Sequence, residues 1–230
     1  MIRISTANIE TEMVLIDYSP LILIEENPCE FFKTVDSLNK AFSEDDSDFT
    51  FWDNDESFSP QKKGEILTDL FSFELTDKKI INLLYKKLQN NFLSGSYLVP
   101  FNEIIARTDN FLSDLFSTVD FSLDYNEFTL EDLLKICSVK PAKTYDSLLE
   151  KIICYINVFA SLKNICFFVF VNIKDVLPDE QLKQLYKHCS LHKISLFLIE
   201  SQKKRSLLAE ERAIIITEDL CEIVENFSDL

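Results

Sequence analysis

Residues 116–135 (FSTVDFSLDYNEFTLEDLLK) contain oxygen-bearing side chains at a spacing that could bind a hard cation. Such cations, Ca²⁺ for example, take six to eight oxygen ligands from carboxylates, amide or backbone carbonyls and water. Asp124, Asn126 and Glu127 precede a predicted helix whose third residue is Asp132, so the stretch could supply three or four ligands. It lacks the glycine and the twelve-residue spacing of an EF-hand. Calcium binding is therefore one hypothesis for this stretch.

A second hypothesis assigns part of the same stretch to helix capping. Thr129 is a typical N-cap residue, and Asp132 three positions later completes an approximate capping box. Glu131 adds negative charge at the positive end of the helix dipole. Capping leaves Asp124, Asn126 and Glu127 unexplained, and the spacing alone keeps both hypotheses open.

Two lysines on a predicted helix could contact phosphates. Residues 78–102 contain four lysines and no acid, although the whole chain has a formal net charge of −16. At 100° per residue, the apolar residues of this helix form a stripe, and Lys79, Lys86 and Asn90 lie on the opposite side. This surface could approach DNA without electrostatic repulsion.

Further basic residues follow a predicted strand. The sequence SQKKRSLL places Lys203, Lys204 and Arg205 just past the carboxyl end of a parallel strand, where open α/β sheets bind ligands. Lys62 and Lys63 are lesser candidates. Basic side chains contact phosphates without reading bases, so DNA binding through these residues would be non-specific and salt-sensitive. An ordinary solvated surface is the alternative explanation.

Common catalytic arrangements are absent from the sequence. The chain has two glycines and no G-x-x-x-x-G-K-[ST] phosphate loop. The first predicted parallel strand runs into residues 25–28 (EENP), which would repel a triphosphate. His188 and His192 could hold zinc on one continuous helix, but a strand predicted from about Lys193 indicates that the helix ends between them. We therefore predict a protein that is not an enzyme.

The composition predicts a folded, cytoplasmic protein. Apolar residues make up 47% of the chain, which includes 20 Phe. No apolar run reaches the roughly 18 residues of a membrane span, and the N-terminal residues lack the apolar core of a signal peptide. The six cysteines are scattered without a Cys-x-x-Cys pair, which favours reduced thiols over zinc or redox chemistry.

Charge is distributed unevenly along the chain. Residues 1–77 hold 18 acids and 5 bases, whereas residues 151–209 hold 4 acids and 9 bases. A basic surface is therefore compatible with a strongly acidic chain.

Four short apolar runs predict strands that are buried on both faces, which is typical of a parallel sheet. Helical patterns alternate with them, one from the Asn27 cap through about Phe42 and one from Pro178 through about Cys189. This alternation predicts an α/β fold. The four runs are PLILIEE near residue 20, ICFFVFVN near 165, KISLFLIE near 193 and RAIIITE near 212.

The remaining patterns define two regions. The N-terminal IRIST and TEMVLID predict an antiparallel hairpin, and residues 42–63 predict a polar loop around one short strand, DFTFWD. Residues 76–162 show helical patterns almost throughout. We predict an α/β head formed by residues 1–70 and 145–230, with an inserted all-helical leg at residues 71–144.

The ordered string of these features resembles one protein family over nearly the whole chain. It resembles the type II-A CRISPR accessory protein of spacer acquisition, the Csn-two family. The segments that support the resemblance are LILIEENPCEFFKTVDSLNKAF, GEILTDLFSFELTDKKIINLLYKKLQNNF, SLDYNEFTLEDLLK, CFFVFVNIKDVLPDEQLKQL and ISLFLIES.

The resemblance implies a non-enzymatic protein whose head resembles P-loop ATPases without a working Walker motif. It implies homotetrameric rings that bind calcium and thread the ends of double-stranded DNA through a lysine-lined hole. It also implies action with the integrase complex and the RNA-guided nuclease when new spacers are captured.

The resemblance also assigns metal ligands. LDYNEFTLEDLL matches the calcium-bearing stretch of the family, so Asp124, Asn126 and Asp132 inherit the ligand roles, with Glu127 in reserve. Asn126 stands where the family has an acid. The lysines of the family do not map residue by residue, so the DNA-binding candidates rest on the charge pattern alone.

Two other function classes remain as alternatives. One is a degenerate P-loop-like enzyme that hydrolyses nucleotides, which ATP hydrolysis with magnesium would indicate. The other is a scaffold that binds only proteins, which an absence of DNA binding at low salt with calcium would favour.

Overall fold

The computed structural model of the protein describes residues 1–43, 45–142 and 145–226. Its strands are β1 (Ile2–Ser5), β2 (Met13–Val14), β3 (Leu21–Glu25), β4 (Thr50–Asp53), β5 (Glu56–Phe58), β6 (Gly64–Leu67), β7 (Phe167–Val171), β8 (Ser195–Glu200), β9 (Arg212–Ile216) and β10 (Glu222–Glu225). Its helices are α1 (Pro28–Phe42), α2 (Lys78–Ser94), α3 (Leu98–Phe116), α4 (Leu130–Ile136), α5 (Leu148–Lys163), α6 (Ile173–Val176) and α7 (Asp179–Leu191).

The described chain divides into two compact units. The described parts of Met1–Phe73 and Thr144–Leu230 form the sheet unit, and those of Glu74–Lys143 form the helical unit.

The sheet unit is built on a six-stranded sheet with the order β10-β9-β3-β8-β7-β6. The five strands from β9 to β6 are parallel, and β10 is antiparallel at one edge. Every residue of β3, β7, β8 and β9 is buried, because both faces of these strands are covered. The four predicted strands and the mixed α/β class are confirmed.

A smaller antiparallel sheet, β2-β1-β4-β5, contributes to the same core. The ring of Phe51 on β4 stacks on Phe167 of β7 with centroids 5.7 Å apart, and Phe42 of α1 contacts both rings. The predicted pairing of β1 with β2 is confirmed. The prediction of a single strand within residues 42–63 was wrong, because β5 pairs with β4 there.

Helix α1 begins where the sequence predicted. The Asn27 side chain accepts hydrogen bonds from the backbone N–H groups of Cys29 at 3.0 Å and Glu30 at 3.3 Å, and Pro28 occupies the first turn. On the other side of the large sheet, Tyr155 of α5 contacts Phe168 of β7 edge-on, with centroids 6.1 Å apart.

The helical unit consists of α2, α3 and α4, and its described residues contain no strand. Phe92 of α2 and Phe101 of α3 pack edge to face at 5.2 Å, and the Tyr85 hydroxyl donates to the carbonyl of Leu134 on α4 at 3.1 Å. No residue of α3 or α4 is fully buried within the chain. None of the helices in the described ranges is long and apolar enough to cross a membrane.

Gly64 begins β6 in a position that excludes a side chain. A Cβ built there would overlap the ring of Phe167, which is fully buried. We expect Gly64→Ala to lower the free energy of unfolding by about 1–3 kcal/mol, the usual cost of overpacking a core. Chemical denaturation followed by circular dichroism measures this change.

The second glycine provides the control. A Cβ at Gly95 would meet the ring of Tyr97, which is exposed and able to move. Gly95→Ala should therefore change stability by less than about 0.5 kcal/mol. Equal losses in the two variants would contradict the assignment of Gly64 as a packing constraint.

Candidate nucleic-acid interface and cation loop

Lys79 and Lys86 lie on the exposed side of α2. The helix begins at the Asp77 carboxylate, which accepts the Lys79 backbone N–H at 2.6 Å. Both lysine side chains are exposed, and neither has a side-chain partner among the described residues. They are seven positions apart, about 10.5 Å along one face of the helix. Both ammonium groups are therefore available to an external anion.

The basic loop after β8 has a different environment, because each of its charges already has a carboxylate. Lys203 donates to Glu225 at 2.5 and 2.7 Å, and Lys204 donates to Asp175 at 2.6 Å. The third basic side chain, Arg205, pairs with Asp179 and also donates to the carbonyl oxygens of Lys174 and Leu177.

These pairs change the predicted role of the loop. Lys203, Lys204 and Arg205 are about one third exposed or somewhat more, so each pair contributes modestly to stability. A phosphate approaching the loop must nevertheless compete with carboxylates that are already in contact. The sequence could not reveal this, because the partners lie 22 to 29 positions away.

Lys62 and Lys63 also differ in whether an acid neutralises them. Lys62 is exposed at the end of a short 3₁₀ turn, Pro60–Lys62. Lys63 pairs with Asp53 and lies 5.1 Å from the centre of the Phe58 ring. The hydrogen bond from Lys63 lowers the pKa of the Asp53 carboxyl below its usual value. Of the seven predicted basic residues, Lys62, Lys79 and Lys86 have no ion pair within the described parts of the chain.

The loop before α4, residues 119–128, holds three of the four predicted calcium ligands, Asp124, Asn126 and Glu127, and we call it the cation loop. It is largely exposed and lies against α3. The Tyr125 hydroxyl donates to Asp109 at 2.7 Å, and its ring packs on Phe116 at 5.8 Å. One oxygen of Asp124 accepts the Tyr125 backbone N–H at 2.9 Å. Asn126 lies within the exposed stretch.

The predicted capping box before α4 is confirmed. Thr129 accepts the Asp132 backbone N–H at 3.2 Å, and the Oδ2 atom of Asp132 accepts the Thr129 backbone N–H at 2.9 Å. The hydrogen bond from the Thr129 side chain lowers the pKa of Asp132, which keeps its carboxylate ionised. Glu131 is paired with Lys135 at 2.7 Å.

The predicted calcium ligands, in the cation loop and at Asp132 of α4, suit calcium in chemistry but do not form a complete cage within the described residues. Carboxylate and amide oxygens are suitable donors, and Asp124 and Asp132 each have a second oxygen beyond the one used locally. However, no three His, Cys, Asp or Glu side chains form a metal-binding group within residues 1–43, 45–142 and 145–226. Any bound calcium would need further ligands from Asn126, Glu127, backbone carbonyls or water.

The turn after β3 is where a phosphate loop would lie in a P-loop protein. Here Asn27 already accepts two of the first backbone N–H groups of α1, which would otherwise be available to phosphate oxygens. Glu25 at the end of β3 is buried. This turn is therefore unsuited to a triphosphate.

The two histidines do not form a zinc pair on one helix. Helix α7 ends at Leu191, and His192 is its C-cap, so the predicted helix end between them is confirmed. His188 Nε2 lies 2.9 Å from the Asn157 side chain, and His192 Nδ1 lies 2.8 Å from the carbonyl of His188.

The sequence did not single out a buried charged cluster beneath the basic loop. Glu211 is fully buried and accepts from Lys174 at 2.7 and 2.8 Å and from the Tyr186 hydroxyl at 2.6 Å. Glu200 is 2% exposed and accepts the Lys174 backbone N–H at 3.1 Å. Burial raises the pKa of Glu200 to about 7. The sequence signal that could have revealed this cluster is the position of Glu200 and Glu211, which lie at the end and directly before the start, respectively, of apolar runs that form buried strands.

Comparison with known proteins identifies the family. The family model described as CRISPR-associated protein (Cas_Csn2) matches residues 41–220, more than three quarters of the chain. The chain belongs to the Csn2 family. The family expected from the sequence is thereby confirmed, and the protein is CRISPR-associated.

Two further comparisons extend over most of the chain. CRISPR-associated protein Csn2 of Streptococcus agalactiae is 24% identical over 209 residues, which cover 88% of this chain and 90% of that protein. The crystal structure of Stu0660 of Streptococcus thermophilus matches with a TM-score of 0.53 and 12% identity, over 99% of this chain and 76% of that chain. The structural match shows a shared fold.

Glu200 provides a test of the buried charge. Its pKa is raised from 4.5 to about 7, so the folded protein binds the proton more tightly than the unfolded chain between these values. The stability contribution of protonated Glu200 is complete below pH 4.5 and is lost as the pH rises to about 7. Glu200→Gln should raise the free energy of unfolding at pH 8 by up to about 3 kcal/mol, and have little effect near pH 4.5.

Urea denaturation at the two pH values measures the difference. Glu56→Gln, which neutralises an exposed carboxylate on β5, is the matched control and should have little effect at either pH. A Glu200→Gln variant that is equally destabilised at both pH values would show that its effect does not depend on ionisation of Glu200, which would contradict the raised pKa.

Proposed function

We propose that this Csn2-family protein binds the ends of linear double-stranded DNA, without sequence preference and without catalysis, during CRISPR spacer acquisition. The observation that supports the proposal best is the pair of exposed, unpartnered lysines on the acid-free face of α2, in a chain of net charge −16. An acidic surface repels DNA generally, so attraction is restricted to the few places where positive charge is uncompensated.

The proposed assembly is a homotetrameric ring. A single chain offers only a few uncompensated positive charges. In a ring, four copies of the α2 face would bring their charges together in one lumen. Exposed apolar side chains in the helical unit support self-association, because monomeric proteins rarely leave so many uncovered. They include Leu93, Val99, Phe111, Leu115, Phe121 and Ile136.

The sheet unit is proposed to be a P-loop ATPase-like head that has lost nucleotide binding. The order of β3 followed directly by α1 in a parallel sheet supports the likeness. Occupied N-terminal amides of α1 and the buried Glu25 oppose triphosphate binding. ATP hydrolysis that changes with Asn27→Ala would replace the proposal with the enzyme alternative.

Calcium is proposed to support assembly rather than chemistry. Asp124, Asn126 and Asp132 would hold it, with Glu127 in reserve and the remaining ligands from backbone carbonyls and water. The ion would neutralise acids of the cation loop that otherwise repel one another. The CRISPR integrase complex and the RNA-guided nuclease are the proposed protein partners, acting in the cytoplasm.

The lysines can be tested individually. Lys79→Glu and Lys86→Glu should abolish DNA binding in gel-shift titrations, because the change reverses an uncompensated charge in all four copies. Lys204→Glu should weaken binding less, because Lys204 is already paired with Asp175. Lys183→Glu on α7 is the control, since Lys183 is exposed and already paired with Glu180.

Salt dependence distinguishes a direct phosphate contact from an indirect effect. Each lost contact should reduce the slope of log affinity against log salt by about 0.9 in magnitude. Equal effects of all four substitutions would contradict the assignment of the α2 face.

Threading predicts a requirement for DNA ends. A closed ring admits a duplex only from an end, so linear DNA should bind and a closed circle of the same sequence should not. Linearising the circle with a restriction enzyme should restore binding. Tight binding to the closed circle would refute threading, and no binding to either form at low salt with calcium would favour the protein-only scaffold.

Calcium removal should affect assembly. A metal that binds only the folded state stabilises it by mass action, so chelation should lower the melting temperature or dissociate the oligomer. Asp124→Asn should reproduce the effect without chelator, and Asp120→Asn, in the same acidic stretch but outside the proposed ligand set, should not. An unchanged melting curve and particle mass after chelation would contradict the site.

A further inference from the structure

A cavity of about 420 Å³ lies in the sheet unit at the carboxyl ends of β3 and β9. Glu25 and Ile216, the last residues of these two strands, are register partners and both line it. The first turns of α1 form part of the wall, and Phe49 and Ile9 contribute apolar surface. Open α/β sheets bind ligands at this edge. We call this space the Glu25 cavity.

Glu25 is the buried polar group of the cavity. Its side chain is 5% exposed, and the Thr34 hydroxyl donates to its Oε1 atom over a long 3.3 Å. Its Oε2 atom has no hydrogen-bond partner among the residues that the structure describes. A buried carboxylate oxygen without a donor is costly, and one ligand N–H group would satisfy it.

The charges around the cavity favour a cation over an anion. Glu25, Glu30 and Asp48 contribute three carboxylates, whereas Lys33 is the single basic side chain of the lining. Lys33 is paired with Glu30 at 2.7 Å, so its charge is compensated. The Asn27 side chain occupies the nearby amides of α1. The cavity therefore presents uncompensated negative charge.

The size and the wall of the cavity favour an organic cation over a metal ion. No group of three metal-binding carboxylates, histidines or cysteines forms in residues 1–43, 45–142 and 145–226. The volume exceeds what a single ion needs, and Ile9, Phe49, Ile216 and Leu220 offer apolar contact to a short alkyl chain. We propose that the Glu25 cavity binds a small aliphatic primary amine, whose ammonium group donates to the Glu25 carboxylate.

Binding of this kind should depend on pH in a defined direction. Burial raises the pKa of Glu25 to about 7, and an ammonium group pairs with the ionised form. Affinity should therefore increase as the pH rises from 6 to 8, with release of a proton. The other titratable side chains of the lining are Glu30, Lys33 and Asp48, of which Glu30 also raises the pKa of Glu25.

Isothermal titration calorimetry with n-butylamine, which is protonated throughout this range, tests the proposal on the full chain. We expect saturable binding at pH 8, about tenfold weaker binding at pH 6, and heats that change with the ionisation enthalpy of the buffer. n-Butanol, which lacks the charge, and tetramethylammonium, which lacks N–H donors, should not bind.

Glu25→Gln keeps the side-chain volume and removes the charge, and it should weaken n-butylamine binding at least tenfold at pH 8. Glu56→Gln is the matched control and should bind as the parent does. If Glu25→Gln does not fold, Ile9→Trp, which fills the cavity and keeps Glu25, should abolish binding instead. Unchanged affinity in the variant that folds, equal binding of tetramethylammonium, or no binding of n-butylamine at pH 8 would overturn the proposal. The proposed DNA binding through the α2 face does not depend on whether the Glu25 cavity binds an amine.

Discussion

Burial of both faces of the central parallel strands is the constraint on which the rest of the structure depends. No residue of the strands β3, β7, β8 and β9 is exposed, so both faces of the sheet must be covered. Helices cover one face, and α1 together with the small antiparallel sheet covers the other. Phe51, Phe42 and Phe167 fill the second interface, and Gly64 lets β6 join the sheet beside Phe167. Close packing of these rings leaves no space for a side chain at that glycine.

The same burial determines the electrostatics at the carboxyl edge of the sheet. Glu25 and Glu200, the last residues of β3 and β8, are withdrawn from water. Glu200 accepts the Lys174 backbone N–H, whereas Glu25 keeps an oxygen without a donor among the described residues. Nucleotide-binding sheets bind anions at this edge, whereas here buried carboxylates lie there. This supports the proposals that the protein does not bind triphosphates and that the Glu25 cavity binds a cation.

The basic residues differ in whether an acid already neutralises them, as well as in where they lie. The basic loop after β8 is rich in cations, but its own acids neutralise them, whereas the two lysines of α2 face solvent without acids on the same face. In a ring, repetition would multiply the uncompensated charges and leave the neutralised ones without effect. This difference makes α2 the principal proposed contact with DNA.

Elements whose signals are local could be predicted from the amino-acid sequence. Apolar runs predicted the buried strands, and Asn27-Pro28 and Thr129 with Asp132 predicted two helix starts, because a cap is defined by atoms within three or four residues. The family was also evident from the order of such segments. These predictions needed no knowledge of distant contacts.

Which of the predicted basic residues are neutralised by an acid became evident from the folded structure. Lys203 and Glu225 are 22 positions apart, and Lys204 and Asp175 are 29 apart, so no local pattern links them. Similarly, β6 joins the sheet by pairing with β7 about 100 residues later, and a four-residue edge strand has too weak a pattern to be recognised alone. Burial and ion pairing depend on where the chain returns in space, and that information is distributed over the whole sequence.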